Sequence, residues 1–163
     1  METIIIDAYN LMHKVPELKS LLKKDRSVFS EALIAKMQSH FYRRKAEVIL
    51  VFDGHGQNKH SRNITLKFSK TDVGNSYHSA DEMIKEMIEK KRNKKLLKIV
   101  SSDNEINWFA RECGCVVQDS GSFWEDVKQR RRKLKTAYLE SHEKPQELSK
   151  GEFEYLLKQF KKK

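Results

Sequence analysis

The chain reads as an α/β protein with a mostly parallel central sheet and helices on both faces. Three observations predict it. Short, nearly unbroken apolar runs, Ile4-Ile5-Ile6, Val48-Ile49-Leu50-Val51-Phe52 and Leu96-Leu97-Lys98-Ile99-Val100, suit strands buried on both faces. Segments with apolar residues at helical spacing separate these runs, and alternation of this kind argues crossover connections in one sheet. The strands lead into acids, at Asp7, Asp53 and Asp103, and an open α/β sheet presents chemistry at the C-terminal ends of its strands.

Taken in order, the first strand ends at Asp7, and Asn10 to Asp25, which holds Pro16, is expected to be a loop with a short helix around 17–23. A helix is predicted over 27–44 from Val28, Phe29, Leu33, Ile34, Met37 and Phe41. The second strand covers 47–53, and Gly54 to Lys59 reads as a loop. Ile64, Leu66 and Phe68 alternate, as expected of a strand nearer the sheet edge. Ser79-Ala80-Asp81-Glu82 is a capping box opening a helix with Met83, Ile84, Met87 and Ile88 on one face. A basic turn at 91–95 precedes a strand over 96–101, then a helix with Ile106, Phe109 and Ala110 that stops near Gly114. Trp108 and Phe109 are expected in or near the core. A short last strand, 115–117, leads to Asp119, and Ser122-Phe123-Trp124-Glu125 is a capping box for a long basic helix to about 140. A final helix follows Ser149. No internal repeat is found.

The composition bounds the function. At 163 residues the chain is one domain by default. Its apolar runs are far too short for a membrane span, and its acidic N-terminus is not expected to act as a signal peptide. Cys113 and Cys115 are too close for an unstrained disulfide, so reduced thiols and a cytoplasmic protein are expected. The net charge of +10, from 33 basic and 23 acidic residues, favours a polyanion such as nucleic acid, although a lysine-rich surface also confers solubility.

The acids do not follow that balance. The topology brings Asp7, Asp53, Asp81 and Asp103 to one sheet edge. Clustered carboxylates repel unless a cation neutralises them, and oxygen ligands suit Mg²⁺ or Mn²⁺. Asn10 and Ser102 stand beside this edge and can hold a phosphate or an ion's water. The competing reading is that these acids only cap helices, since Asp81 and Asp103 both sit where a helix begins.

Ile5-Ile6-Asp7-Ala8-Tyr9-Asn10-Leu11, Val51-Phe52-Asp53-Gly54, Ser79-Ala80-Asp81-Glu82 and Val100-Ser101-Ser102-Asp103-Asn104-Glu105 together resemble the NYN branch of the PIN-like nucleases, close to the YacP-like group. The resemblance covers about residues 2–125 and departs from many relatives at Ala8, where they have glycine. It implies a PIN-like three-layer sandwich over 1–125; beyond it, basic C-terminal helices over 126–163 are expected to pack on the same domain. It also implies a divalent-metal-dependent endoribonuclease that cleaves RNA with a metal-activated water, leaving 5′-phosphate and 3′-hydroxyl ends. Asp7, Asp81 and Asp103 would bind Mg²⁺ or Mn²⁺, with Asn10 and Asp53 accessory and Glu82 able to substitute for its neighbour. The expected substrate is single-stranded mRNA, with ribosome-associated RNA as a candidate.

The basic helix Lys128-Gln129-Arg130-Arg131-Arg132-Lys133 is the candidate RNA contact, with Phe123, Trp124 and Tyr138 near enough in sequence to stack on bases. Lys59 and Arg62 follow Asp53 and are expected near the acidic edge, to guide the scissile strand. Gly54-His55-Gly56 lacks the third glycine of a dinucleotide loop. A phosphoacceptor receiver domain would need paired acids after the first strand, where Ala8-Tyr9 stand. The two cysteines lack the second pair that a zinc finger requires. A noncatalytic RNA-binding module on the same fold and a DNA nuclease are the alternatives to the ribonuclease.

Overall fold

The computed structural model describes residues 1–16, 19, 26–41, 44–71 and 77–141. Six strands form one sheet: β1 Glu2–Asp7, β2 Ala46–His55, β3 Lys59–Ser61, β4 Ile64–Lys70, β5 Leu97–Val100 and β6 Val116–Gln118. Their spatial order is β3-β4-β2-β1-β5-β6, and every neighbouring pair is parallel except β3 with β4. The helices are α1 Ala8–Lys14, α2 Arg26–Phe41, α3 Ala80–Lys90, α4 Asn104–Glu112 and α5 Ser120–Ser141, with a 3₁₀ turn at Lys94–Leu96.

The period of two in β1 splits the core into two layers. Ile4 and Ile6 pack on one face with Leu11 and Met12 of α1, Leu33, Met37 and Phe41 of α2, and Phe123, Trp124 and Val127. Ile5 packs on the other face with Met83, Ile84 and Ile88 of α3 and Ile106 and Ala110 of α4. Each fully buried aliphatic side chain contributes about 1.5–3 kcal/mol, so this strand is held from both sides. The result is a three-layer α/β sandwich with a mostly parallel sheet.

The chain divides into two compact units, Met1–Val127 and Lys128–Lys163. The first contains the sheet and both cores. Of the second, the described part is the remainder of α5, on which Arg131, Arg132 and Lys133 are exposed. The final helix expected after Ser149 lies outside the described residues, as does most of the one expected at 17–23.

Several local expectations are corrected. Helix α1 starts directly at Ala8 and runs through the first part of the loop expected from Asn10, because the Asp7 side chain accepts a hydrogen bond from the Asn10 backbone N–H and caps it. Strand β2 continues past Asp53 through a register irregularity, with Gly54 at φ 94°. The chain then turns back as β3, a strand that its wholly exposed polar residues did not signal. Helix α5 starts at Ser120 rather than Ser122: Asp119 Oδ1 accepts from the backbone N–H groups of Gly121 and Ser122 at 2.8 and 3.1 Å. Phe123 and Trp124 are buried in the core and so cannot stack on bases, whereas Trp108 is 62% exposed instead of buried.

Candidate active site

The register fixes which strand ends meet. Asp7 lies opposite Val51, Ile6 opposite Val100, and Phe52 opposite Phe68. Asp7, Asp53 and the Ser101–Asp103 segment therefore lie toward the same edge of the sheet. Three of the acids are tied there by their own hydrogen bonds.

Asp7 is buried at the tip of β1, with Oδ1 accepting the Asn10 N–H at 2.9 Å and Oδ2 accepting from the Ser101 hydroxyl at 3.4 Å. Ser101 is fully buried, and its Oγ also accepts the Asp103 N–H at 3.0 Å. One hydroxyl thus links the first acid to the backbone of the third. Asn107 of α4 in turn donates from Nδ2 to the Ser101 carbonyl at 3.0 Å. Asp103 caps α4 through Oδ1, which accepts from the N–H groups of Glu105 and Ile106.

Asp53 positions the second helix end. Its Oδ1 accepts from the Ser69 hydroxyl at 2.8 Å and from the Ala80 N–H at 3.1 Å, while Ser69 Oγ accepts the Gly54 N–H at 2.9 Å. This ties β2 and β4 to the first residue of α3, immediately before Asp81. Ser79 caps the same helix by accepting the Glu82 N–H, and the Glu82 carboxylate reaches back to accept the His78 N–H at 2.7 Å. Glu82 is thereby engaged at the helix end.

The electrostatics show that the acids sense one another. Burial pushes the Asp7 carboxyl up to about 6, against the lowering effect of the Asn10 N–H, and Asp81 and Asp103 add to the rise. Asp81 is raised as well, by desolvation and then by Asp103, with smaller repulsion from Glu105 and Asp53 and an opposing pull from Lys85. Asp119 behaves oppositely: the Ser102 hydroxyl, then the Ser122 and Gly121 N–H groups, hold it below the usual carboxylate range.

Asn10 has a different role from the one its side chain alone suggests. Its Oδ1 accepts from the Ser102 N–H at 2.8 Å and from the hydroxyl of fully buried Ser120 at 3.1 Å. Ser102 Oγ donates to Asp119 and accepts the Ser120 N–H. Asn10, Ser102, Asp119 and Ser120 form a polar clamp across β1, β5 and the start of α5.

Lys59 and Arg62 are not brought to this edge. Strand β3 runs antiparallel to β4, pairing Lys59 with Leu66 and Ser61 with Ile64, which itself pairs with Val48. Arg62, at φ 55°, therefore sits at the N-terminal edge of the sheet, roughly 17 Å up β2 from Asp53 at about 3.3 Å per residue. The sequence reading also missed Ser69, Ser101, Asp119 and Ser120. Ser101 had a visible signal, since it stands between a buried strand and an acid; Ser69 had none.

Among the described residues, no three His, Cys, Asp or Glu side chains are placed to hold one ion together. The donor chemistry nevertheless fits a hard divalent cation. Mutually repelling carboxylates of raised pKa gain most from a positive charge, and Mg²⁺ commonly takes one or two carboxylates and keeps waters in its other positions. One or two of Asp7, Asp81 and Asp103 would hold such an ion directly, with waters completing its shell.

The sequence profile of the YacP-like NYN domain matches residues 4–162. The fold resembles the crystal structure of Rae1 (YacP) from Bacillus subtilis, with TM-score 0.70 and 22% identity over 99% of this chain and 94% of that one. A tryptophan-to-leucine mutant of the same Bacillus subtilis protein superposes with TM-score 0.67 and 22% identity, covering 88% of this chain and 86% of that one. Among curated proteins, no sequence matches significantly. With its four motifs on one sheet edge and the profile spanning nearly its whole length, the chain belongs to the YacP-like NYN domain family.

Proposed function

We propose that this protein is an endoribonuclease that depends on Mg²⁺ or Mn²⁺ and cleaves single-stranded RNA. Membership in the family supports a nuclease-type function connected with RNA. The observation that carries the finer reading is the burial of Asp7 at the sheet edge beside Asp81 and Asp103, its carboxyl pushed up to about 6 by that burial and, to a lesser extent, by those two acids. A fold that needs only helix caps has no reason to bury one of these carboxylates beside the others.

When bound, the ion supplies Lewis-acid polarisation of the scissile phosphate and an activated water. The chain's own part is positional. Ser101 holds Asp7 against the start of the α4 cap, Asp53 holds the start of α3, and the Asn10 clamp fixes the exits of β1 and β5. Hydrolysis by water, without attack by the RNA 2′-hydroxyl, leaves 5′-phosphate and 3′-hydroxyl ends. Arg130, Arg131, Arg132 and Lys133 bind the RNA backbone in this reading, and Lys59 and Arg62 contact only RNA that extends well past the cleavage point. Single-stranded mRNA is the proposed substrate, including mRNA on the ribosome. The free thiols Cys113 and Cys115 support a cytoplasmic location, and no described helix is long and apolar enough to cross a membrane.

Cleavage of matched RNA and DNA oligonucleotides with Mn²⁺ tests this reading. Asp7→Asn and Asp103→Asn are expected to abolish RNA cleavage while sparing RNA binding, and a preference for DNA would refute the substrate. A second reading, a noncatalytic RNA-binding module, draws on the helix caps made by Asp7 and Asp103. It predicts equal, background-level cleavage by wild type and both variants.

A further inference from the structure

The acidic cluster has a counter-charge built into the chain. Lys85 lies one turn after Asp81 on α3, and its Nζ pairs with Glu105, two residues after Asp103 on α4. Among the described residues this is the ion pair joining α3 to α4; the other, Lys90 with Glu86, lies within α3. The Lys85 ammonium also stands 5.9 Å from the centroid of the Phe109 ring, which is packed against the core of that face. Its stem is largely covered while Glu105 stays mostly exposed, so the pair bridges at the surface the two helices that carry Asp81 and Asp103.

We propose that Lys85 is a positioning residue of the nuclease site: anchored by Glu105 and Phe109, it holds α3 against α4 and offsets the repulsion of Asp81 and Asp103 before a metal ion arrives. The proposal rests on the nuclease reading for its metal. Its electrostatic part stands on the ion pair and on the attraction of Lys85 to both aspartates.

A cation already in the cluster's field weakens the binding of a second one. Lys85→Met keeps the apolar stem and removes the charge, so calorimetric titration with Mn²⁺ is expected to show binding tighter by about five- to tenfold. Glu105→Gln leaves the cation, removes its anchor and deletes one negative charge, so Mn²⁺ binding is expected to weaken. A bridge with only a structural role would make the two variants behave alike. In parallel, in chelator and low salt, Lys85→Met is expected to melt below wild type, with the gap closing in high salt as screening takes over. Lys85→Arg should restore wild-type values in both experiments. The proposal is overturned if Lys85→Met binds Mn²⁺ no more tightly than wild type, or if its chelated melting temperature is unchanged in low salt. If wild-type protein takes up no Mn²⁺, the metal reading fails by itself and the melting comparison alone decides the role of Lys85.

Discussion

Asp7→Asn should make the metal-free protein more stable while removing the proposed RNA cleavage, and the gain should depend on pH in a defined direction. Asp7 is buried and its carboxyl is raised from 3.8 to about 6. Below the lower value, the folded and unfolded chains both carry the proton. As pH rises between the two values, the unfolded chain ionises first while the folded chain keeps its proton, so stability falls. Above the higher value both are ionised, and the loss is complete. The full loss is about 3 kcal/mol, the equivalent of that change at about 1.4 kcal/mol per pH unit. Asparagine avoids it and can still accept the Asn10 N–H through its own oxygen. At about 2–4 °C per kcal/mol for a chain of this size, the upper bound is a melting temperature raised by roughly 6–12 °C at neutral pH. The assay is thermal unfolding of wild type and Asp7→Asn in chelator across the acid-to-neutral range. The advantage of the variant should vanish near the ordinary carboxylate pKa, and added Mn²⁺ should shrink it by stabilising wild type alone. A variant that is less stable at neutral pH, or a difference that does not vary with pH, would refute the claim that the fold opposes this charge.

The remaining perturbations probe the supports around it. Ser101→Ala removes the link from Asp7 to the Asp103 backbone and should cost about 1–3 kcal/mol in urea unfolding while lowering cleavage more than RNA affinity. Asn10→Ala strands the Ser102 N–H and the Ser120 hydroxyl, at a similar cost of about 1–3 kcal/mol; stability unchanged by the substitution would contradict the clamp. Trp108→Ala should change stability by less than about 0.5 kcal/mol, whereas Trp124→Ala should cost about 3–5 kcal/mol, and equal effects would contradict the assigned burial. Reversing the charges of Arg130 to Arg132 should weaken RNA affinity and flatten its dependence on salt in a binding titration, and an unchanged slope would remove that segment from the interface.

The strands were legible because Ile4-Ile5-Ile6 and Val48 to Phe52 are β-branched and aliphatic runs with few other places to go. Their parallel pairing followed from the intervening helices, and with it the shared edge of Asp7, Asp53 and Asp103. Short polar elements were not legible. Strand β3, Lys59-His60-Ser61, is wholly exposed and carries no hydrophobic period, yet its reversal decides which edge Arg62 occupies. The entry to α1 was hidden because a single carboxylate serves both as a candidate ligand and as a helix cap. Trp108 was misread through its neighbour Phe109. Ile106 and Ala110 face the sheet, and Trp108 is two residues from each, about 200° around the helix, which turns it outward. The hydrogen-bonded serines escaped because a hydroxyl takes its meaning from a partner distant in sequence, as Ser120 does from Asn10.

The directions in which the acids are shifted separate two kinds of carboxylate that share one surface. Asp119 is held low by the Ser102 hydroxyl and two backbone N–H groups, so its charge is used by the fold and contributes to it. Asp7 and Asp81 are both raised, and at buried Asp7 the fold opposes the charge and is less stable for carrying it. Asp7 is the informative case, because it too caps a helix and accepts the Asn10 N–H, and burial still outweighs that bond. A cap needs no burial beside other acids, since an exposed aspartate or a serine such as Ser79 performs the task. The cost persists because rigid neighbours hold Asp7 in place: the Ser101 hydroxyl on one side and, through Asn10, the clamp of Ser102 and Ser120 on the other. In the proposed metal-dependent reading, carboxylates kept close by an otherwise satisfied hydrogen-bond network would be preorganised for positive charge, and a divalent cation would offset both the desolvation cost and the repulsion that raise Asp7.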